Sequence, residues 1–122
     1  MTEGLDAGRL DRRIRIERDG LPVHDGLQNV AGAPSVFAER WASVRPGGGR
    51  ERFASAENAA TAPMVFWLRW DRTLDPSAPG GVGTADRIRY PARDDGQLYD
   101  IKSAVEIGRR EGIEIAAVRR VT

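Results

Sequence analysis

Cysteine does not occur in the 122-residue chain, and its absence removes disulfides, thiolate metal ligands and cysteine nucleophiles together. Histidine occurs once, as His24 in a glycine-rich tract. One loop imidazole cannot assemble a metal site, which needs several nitrogen, sulfur or carboxylate ligands at compatible spacing. A serine–histidine–aspartate relay would depend on that same loop residue, a poor setting for a base. No run approaches the roughly 20 apolar residues of a membrane helix. The opening "MTEGLDAGRLDRRIRIERDG" lacks the apolar stretch of a signal peptide, so the expectation is a soluble protein made in the cytoplasm. Heptads and internal repeats are missing too. These absences disfavour an enzyme, and no cofactor or metal is expected.

What remains is enough for one domain spanning residues 1–122. Hydrophobic residues make up 40% and charged residues 30%, a balance that supports a core. The net charge is +1, unlike the strongly basic total of a dedicated DNA-coating protein. Any nucleic-acid contact is therefore expected to be local. Of the 19 basic residues only Lys102 is a lysine, so 18 are arginines. A coding bias towards Arg, Ala and Gly accounts for much of this. The physical alternative is that planar, permanently charged guanidinium groups suit interfaces and phosphate contacts.

Alternation of apolar and polar residues dominates the pattern. "RRIRIER" (12–18) sets Ile14 and Ile16 on one face. "RWASVR" (40–45) sets Ala42 and Val44 against Trp41 and Ser43. "MVFWLRW" (64–70), the most apolar run, is short and bounded by Pro63 and a turn-rich tract, which favours a strand over a helix. "DRIRY" (86–90), "LYDIKSAVEI" (98–107) and "IEIAAVRR" (113–120) continue the series. In the second of these, Tyr99, Ile101, Ser103 and Val105 fall on one side. "GRREG" (108–112) reads as a hairpin between the last two strands. The sequence therefore predicts a mainly β protein, a small antiparallel barrel or sandwich of about six strands. Its expected core is Ile14, Ile16, Val44, Phe66, Leu68, Ile88, Tyr99, Ile101, Ile113 and Ile115. At most one short helix is expected, over residues 50–60, where alanine and glutamate are good formers. Two long loops are expected, at about 19–38 and 71–85, and loops of that length in a small domain are commonly functional or disordered.

One stretch invites a chemical reading: "RPGGGRER", residues 45–52. A phosphate-binding loop of the G-x-x-x-x-G-K-[ST] type needs a lysine for the phosphates and a hydroxyl for magnesium. Neither follows these glycines, and no later glycine completes G-x-G-x-x-G. The stretch is instead a turn out of the "WASVR" strand, leaving arginines at its tip. Asp94 and Asp95 precede Gly96 and read as turn chemistry, a poor setting for separating the pKa values of paired carboxylates. Trp67 and Trp70 fall on opposite faces of one strand. One of them needs cover from a loop, a helix or another subunit, or else serves as a base-stacking platform; the apolar neighbours Val65, Phe66 and Leu68 favour cover.

Several of these segments, in their order, resemble the small head–tail joining proteins of tailed bacteriophages, also called head-closure or stopper proteins, which have counterparts in gene transfer agents. "GRLDRRIRIER" (8–18) is similar to the first strand of that family. "ERWASVRPGGGRER" (39–52) resembles its Trp-Ala-x-Val strand, Gly/Pro turn and charged segment. "DRIRYPARDDGQLYDIKSAVEI" (86–107) resembles its paired strands bearing Tyr-Asp-Ile, and "GRREGIEIAAVRR" (108–120) its last hairpin. The tract "PSAPGGVGTA" (76–85) and the first loop are longer than the family pattern suggests.

The resemblance implies a β-barrel that assembles as a homo-oligomeric ring in the neck of a virion or gene transfer agent particle. Portal and adaptor proteins would lie on its head side and tail terminator or tail tube proteins on its tail side. Packaged double-stranded DNA would occupy the channel, with no membrane involved. A small barrel fills its own interior with side chains, so such a channel would run between subunits. On this reading Arg45, Gly47, Gly48, Gly49, Arg50, Arg52, Arg72, Gly80 and Gly81 are the candidate interface or channel-loop residues. A tail terminator or tail-completion ring protein remains an alternative. So does a free-standing nucleic-acid-binding barrel, which should bind oligonucleotides as a monomer with steep salt dependence.

Overall fold

Eight strands follow one another in the computed structural model, which describes residues 9–24, 26–30, 32–47 and 63–121. They are β1 (Arg12–Asp19), β2 (Val23–His24), β3 (Asn29–Val30), β4 (Pro34–Pro46), β5 (Pro63–Arg69), β6 (Arg87–Tyr90), β7 (Gln97–Ile107) and β8 (Gly112–Arg119). Six of them close a barrel in the order β1-β4-β5-β8-β7-β6, while β2 and β3 pair only with each other. Every pairing is antiparallel, and β6 returns to β1 through Arg15↔Arg89, Ile16↔Ile88 and Glu17↔Arg87. The choice between barrel and sandwich thus resolves to a closed barrel, which leaves no open sheet edge of its own.

The alternation read in the sequence is what fills the interior. Ile14, Ile16, Phe66, Leu68, Ile88, Ile101, Ile113 and Ile115 are buried, together with Ala38, Ala42 and Ala117. Val44 and Tyr99 are partly buried and pack against them. Register brings the inward residues level with one another, as in Val44↔Phe66, Phe66↔Ile115 and Leu68↔Ile113. Phe66 meets Tyr99 and Tyr90 edge-on, with ring centroids 5.5 and 6.2 Å apart. Small alanines on β4 and β8 leave the space that these rings take, the size alternation a narrow barrel requires.

Three features depart from the sequence expectation. The loop expected over 19–38 is shorter, because Asp19 and Arg18 find backbone partners in Pro34 and Ser35 and extend β4 upstream. Within that tract β2 and β3 make a two-residue ladder. In β7 a bulge between Ile101 and Ser103 puts two residues opposite one and reverses the face of everything after it. Ala104 therefore packs towards the core, and Ser103 and Val105 are exposed rather than aligned with Tyr99 and Ile101. The helix expected at 50–60 lies outside the described residues, and among the described residues there is no α-helix.

The long connection 70–86 is a sequence of turns that caps one end of the barrel. Leu74 and Val82 point inward and are buried, joining the core from outside any strand. Backbone bonds Val82 N–H to Leu74 O (3.2 Å) and Ala78 N–H to Asp75 O (3.1 Å) hold the turns together. The Asp71 carboxylate caps the Leu74 amide at 3.0 Å. A Cβ at Gly81 would overlap the Asp75 carbonyl oxygen, and its neighbour Gly80 takes φ +82°. We therefore expect Gly81→Ala to destabilise the fold by about 1–3 kcal/mol through forced backbone movement. Urea unfolding should show a lower midpoint at unchanged slope; a wild-type midpoint would mean that the cap relaxes freely.

Candidate functional site

Because neighbouring strands run antiparallel, the connections β1–β4, β5–β6 and β7–β8 leave from one end of the barrel. The connections β4–β5 and β6–β7 leave from the other. The candidate residues divide between these ends. Arg45 and Gly47 belong to the β4–β5 corner, whereas Arg72, Gly80 and Gly81 lie in the cap at the opposite end. Gly48, Gly49, Arg50 and Arg52 fall outside the described residues.

At the β4–β5 corner, the Gly47 amide donates to the Pro63 carbonyl at 2.8 Å. That N–H is committed to the fold and is not free to cradle an anion. A Cβ on Gly47 would come within 2.6 Å of the Val65 Cγ2 atom, so glycine is fitted to a close approach of the two strands. Arg45 lies flat on Trp67, 3.7 Å from the ring centroid. Trp67 in turn donates its Nε1–H to the Glu114 carboxylate at 2.8 Å. The outward tryptophan expected from the sequence is therefore Trp67, covered by an arginine and anchored by a carboxylate. Trp70 sits one residue past β5, packs against the core, and has the Arg110 guanidinium 4.9 Å from its ring.

At the cap end, Gly80 and Gly81 are explained by the local backbone. Arg72 is exposed and has no ion-pair partner among the described residues; the same holds for Arg69 and Arg109. These three side chains, with Arg110, make a cationic rim at the ends of β5 and β7.

Most other arginines are bound to carboxylates on neighbouring strands. Arg15 reaches Glu39 and Asp94, each at 2.9 Å. Arg18 holds the buried Asp86 at 2.8 and 3.0 Å, donates to the Gly81 carbonyl at 3.1 Å, and lies over Phe37. Arg120 pairs with Asp100, and Arg40 with Asp71 at 2.8 Å. Glu17 is also buried, 7% exposed, and takes Arg89 at 2.7 Å and faces Arg87 at 3.5 Å. Burial pushes the Glu17 carboxyl up, but bonds and charge from Arg89 and Arg87 outweigh it and hold the group below its usual value. The Arg120 hydrogen bond likewise holds Asp100 below the usual carboxylate range. Such pairs tie neighbouring strands and turns together.

Two surface features escaped the sequence reading. A groove of about 400 Å³ is lined by Leu10, Arg13, Arg40, Trp41, Arg69, Trp70 and Asp71. Alternation had already put Trp41 on the outer face; what was missing was its meeting with Trp70 across two strands. The second is the apolar character of residues 20–33, where Leu21, Val23, Leu27 and Val30 are exposed. Their lack of period hid them, although apolar residues in a glycine- and proline-rich tract are themselves a signal. Among the described residues no group of three or more His, Asp or Glu side chains is arranged to hold a metal ion.

No protein of curated function matches the sequence. Protein SF1141 of Shigella flexneri 2a, known from its solution structure, superposes with a TM-score of 0.65 at 19% identity, over 94% of this chain and 96% of that one. A chain from the virion of a native gene transfer agent particle superposes with a TM-score of 0.60 at 21% identity, over 92% and 96%. These two likenesses concern the fold. The sequence itself is matched over residues 5–120 by the family described as phage head completion protein, and the chain belongs to that family.

Proposed function

We propose that the chain is a head-closure protein, a structural component that forms a ring joining the portal and adaptor of a capsid to the tail and helps retain packaged double-stranded DNA. The observation that carries this reading is the family match over residues 5–120. The packed interior supports it physically: with Phe66, Leu68, Ile88 and Ile115 fully buried inside six strands, a duplex has no path through one barrel. A channel would therefore run between copies in a cyclic assembly closed by head-to-tail contacts. The fold shared with a chain of a gene transfer agent virion supports a place in the neck of such a particle. On this reading Arg50 and Arg52 of the β4–β5 connection contact neighbouring rings or DNA, while Arg45 stacks on Trp67 and Gly47 bonds Pro63 within the barrel.

The test combines imaging with a double variant. Cryo-electron microscopy of particles containing the chain should show a ring between portal and tail. Arg50→Ala/Arg52→Ala should keep the wild-type melting midpoint while the yield of joined, DNA-filled particles falls at least about tenfold, the size of one lost interface hot spot. A wild-type yield removes those arginines from the contact. A ring at the distal end of the tail tube assigns the tail-terminator role instead.

A further inference from the structure

We propose that the arm formed by residues 20–33 of one copy seats on the Trp41 groove of a second copy, and that this is the head-to-tail contact of the ring. The proposal rests on the ring-forming reading above and names the surfaces that would make it.

The arm leaves β1 at Gly20 and returns at Ala33, where the Gly20 amide donates to the Ala33 carbonyl at 2.9 Å. Within it, β2 and β3 make a two-residue ladder that pairs with no strand of the barrel, and His24 Nδ1 lies 3.2 Å from Asn29 Oδ1. A ladder so short is not stable by itself in water. Its side chains make the setting worse for an isolated molecule: Leu21 is 88% and Leu27 93% exposed, with Val23 and Val30 beside them. Apolar side chains gathered on one projecting segment mark a contact surface.

The groove supplies what such an arm lacks. Trp41 is 54% exposed, with the Arg13 guanidinium 5.3 Å from its ring centroid and Leu10 and Trp70 on the walls. A half-exposed tryptophan flanked by arginines is the composition of an interface hot spot. Charge also matches. Asp25 is the sole charged residue between positions 20 and 33; in the groove Arg40 is held by Asp71 and Arg13 lies 3.8 Å from Glu39, which leaves Arg69 as the cation without an ion-pair partner among the described residues.

Geometry makes the contact intermolecular. Trp41 pairs with Arg13 at the start of β1, and the arm begins at Gly20, seven residues further along. At about 3.3 Å per residue the two lie roughly 23 Å apart on the same ribbon. An arm filling the groove of another copy uses different patches on the two partners. Such a contact is heterologous, the kind that generates a ring when its rotation closes. Nucleic acid is the less fitting occupant, because it would leave Leu21, Val23, Leu27 and Val30 of the arm uncovered.

The lack of native cysteine makes a disulfide trap unambiguous. The double variant Leu27→Cys/Trp41→Cys, oxidised in particles or in a concentrated solution of the full chain, should run without reductant as a ladder of multiples ending at one closed size. Leu27→Cys/Val105→Cys, whose second position is exposed on β7, should give no ladder. In a second measurement, Leu21→Asp/Leu27→Asp should keep the melting midpoint, since both positions are exposed, while self-association weakens at least about tenfold. Rings without a ladder, or unchanged association of the aspartate variant, overturn the arm–groove contact and leave the head-closure reading standing. Absence of rings from particles as well removes both. Quenching of tryptophan fluorescence by duplex DNA that disappears in Trp41→Phe, with no ladder, overturns the proposal by giving the groove to nucleic acid.

Discussion

Replacing Phe66 by alanine should cost about 3–5 kcal/mol, a large share of the roughly 5–15 kcal/mol that holds a domain of this size together. The side chain is completely buried at the centre of β5, between Val44 of β4 and Ile115 of β8 in the register. Its ring makes edge contacts with Tyr90 and Tyr99 from the far wall of the barrel, at interplanar angles of 75° and 72°. Removing it loses both the transfer free energy of the ring and the aromatic pairs. The cavity cannot collapse, because six strands hydrogen-bonded in a closed ring have no free edge along which to slide inward. The nearest small residues, Ala42 and Ala117, are too short to fill it. Urea unfolding should show the loss as a lower midpoint with little change in slope. Phe66→Leu, which keeps most of the volume, should lose far less. If alanine cost less than about 1 kcal/mol, the interior would be loosely filled and the argument against a path through the barrel would fall with it.

How far the sequence could be read follows from where period-two alternation survives. β1, β5, β6 and β8 each keep one buried face, so Ile14, Ile16, Phe66, Leu68, Ile88, Ile113 and Ile115 could be assigned inward from spacing alone. β7 could be followed only as far as Ile101. Alternation in the sequence runs on smoothly through Ser103 and Val105, but closing the barrel against β8 inserts a bulge at Lys102, and no local signal announces it. The upstream half of β4 was hidden for the opposite reason: "PSVFAE" emerges from a glycine- and proline-rich tract, and its pairing depends on β1 rather than on its own pattern. Leu74 and Val82 sit among turn residues without period, and only the need to plug one barrel end sends them inward. Of the candidate site, the β4–β5 corner was legible as a turn because prolines and glycines write turns locally. The stacking of Arg45 on Trp67 is a cross-strand event, and the meeting of Glu17 with Arg87 and Arg89 spans most of the chain. Contacts between distant segments leave no trace in the spacing of either one.

That last cluster carries the other large effect. Glu17→Ala should destabilise the protein by about 3–5 kcal/mol, because it strands two largely enclosed guanidinium groups without their shared carboxylate. Arg87 and Arg89 are 12% and 19% exposed, and Arg87 retains only Asp19, at 3.0 Å and nearer to solvent. Arg89 keeps the Asp94 and Gly96 carbonyl oxygens as acceptors, at 3.0 and 2.9 Å, but no countercharge. Glu17→Gln separates the two terms: it preserves shape and one acceptor oxygen while deleting the charge, and should fall between wild type and alanine. The same pair sets an acid dependence with a definite sign. In the folded protein the Glu17 carboxyl is held below its usual value, so its contribution is fully present above the unfolded carboxylate value of about 4.3. It is lost as pH falls through the lower folded value, in step with Asp100, which shifts in the same direction. Melting midpoints should therefore be level near neutral pH and decline below about pH 4, and the decline should be shallower in Glu17→Ala because that variant has already lost the pair. An acid limb as steep in the variant as in wild type would transfer the effect to Asp100 and the exposed pairs. The strand junction β1–β6, the shortest seam in the barrel at three residue pairs, would then have to be held by main-chain bonds and Ile16–Ile88 packing alone.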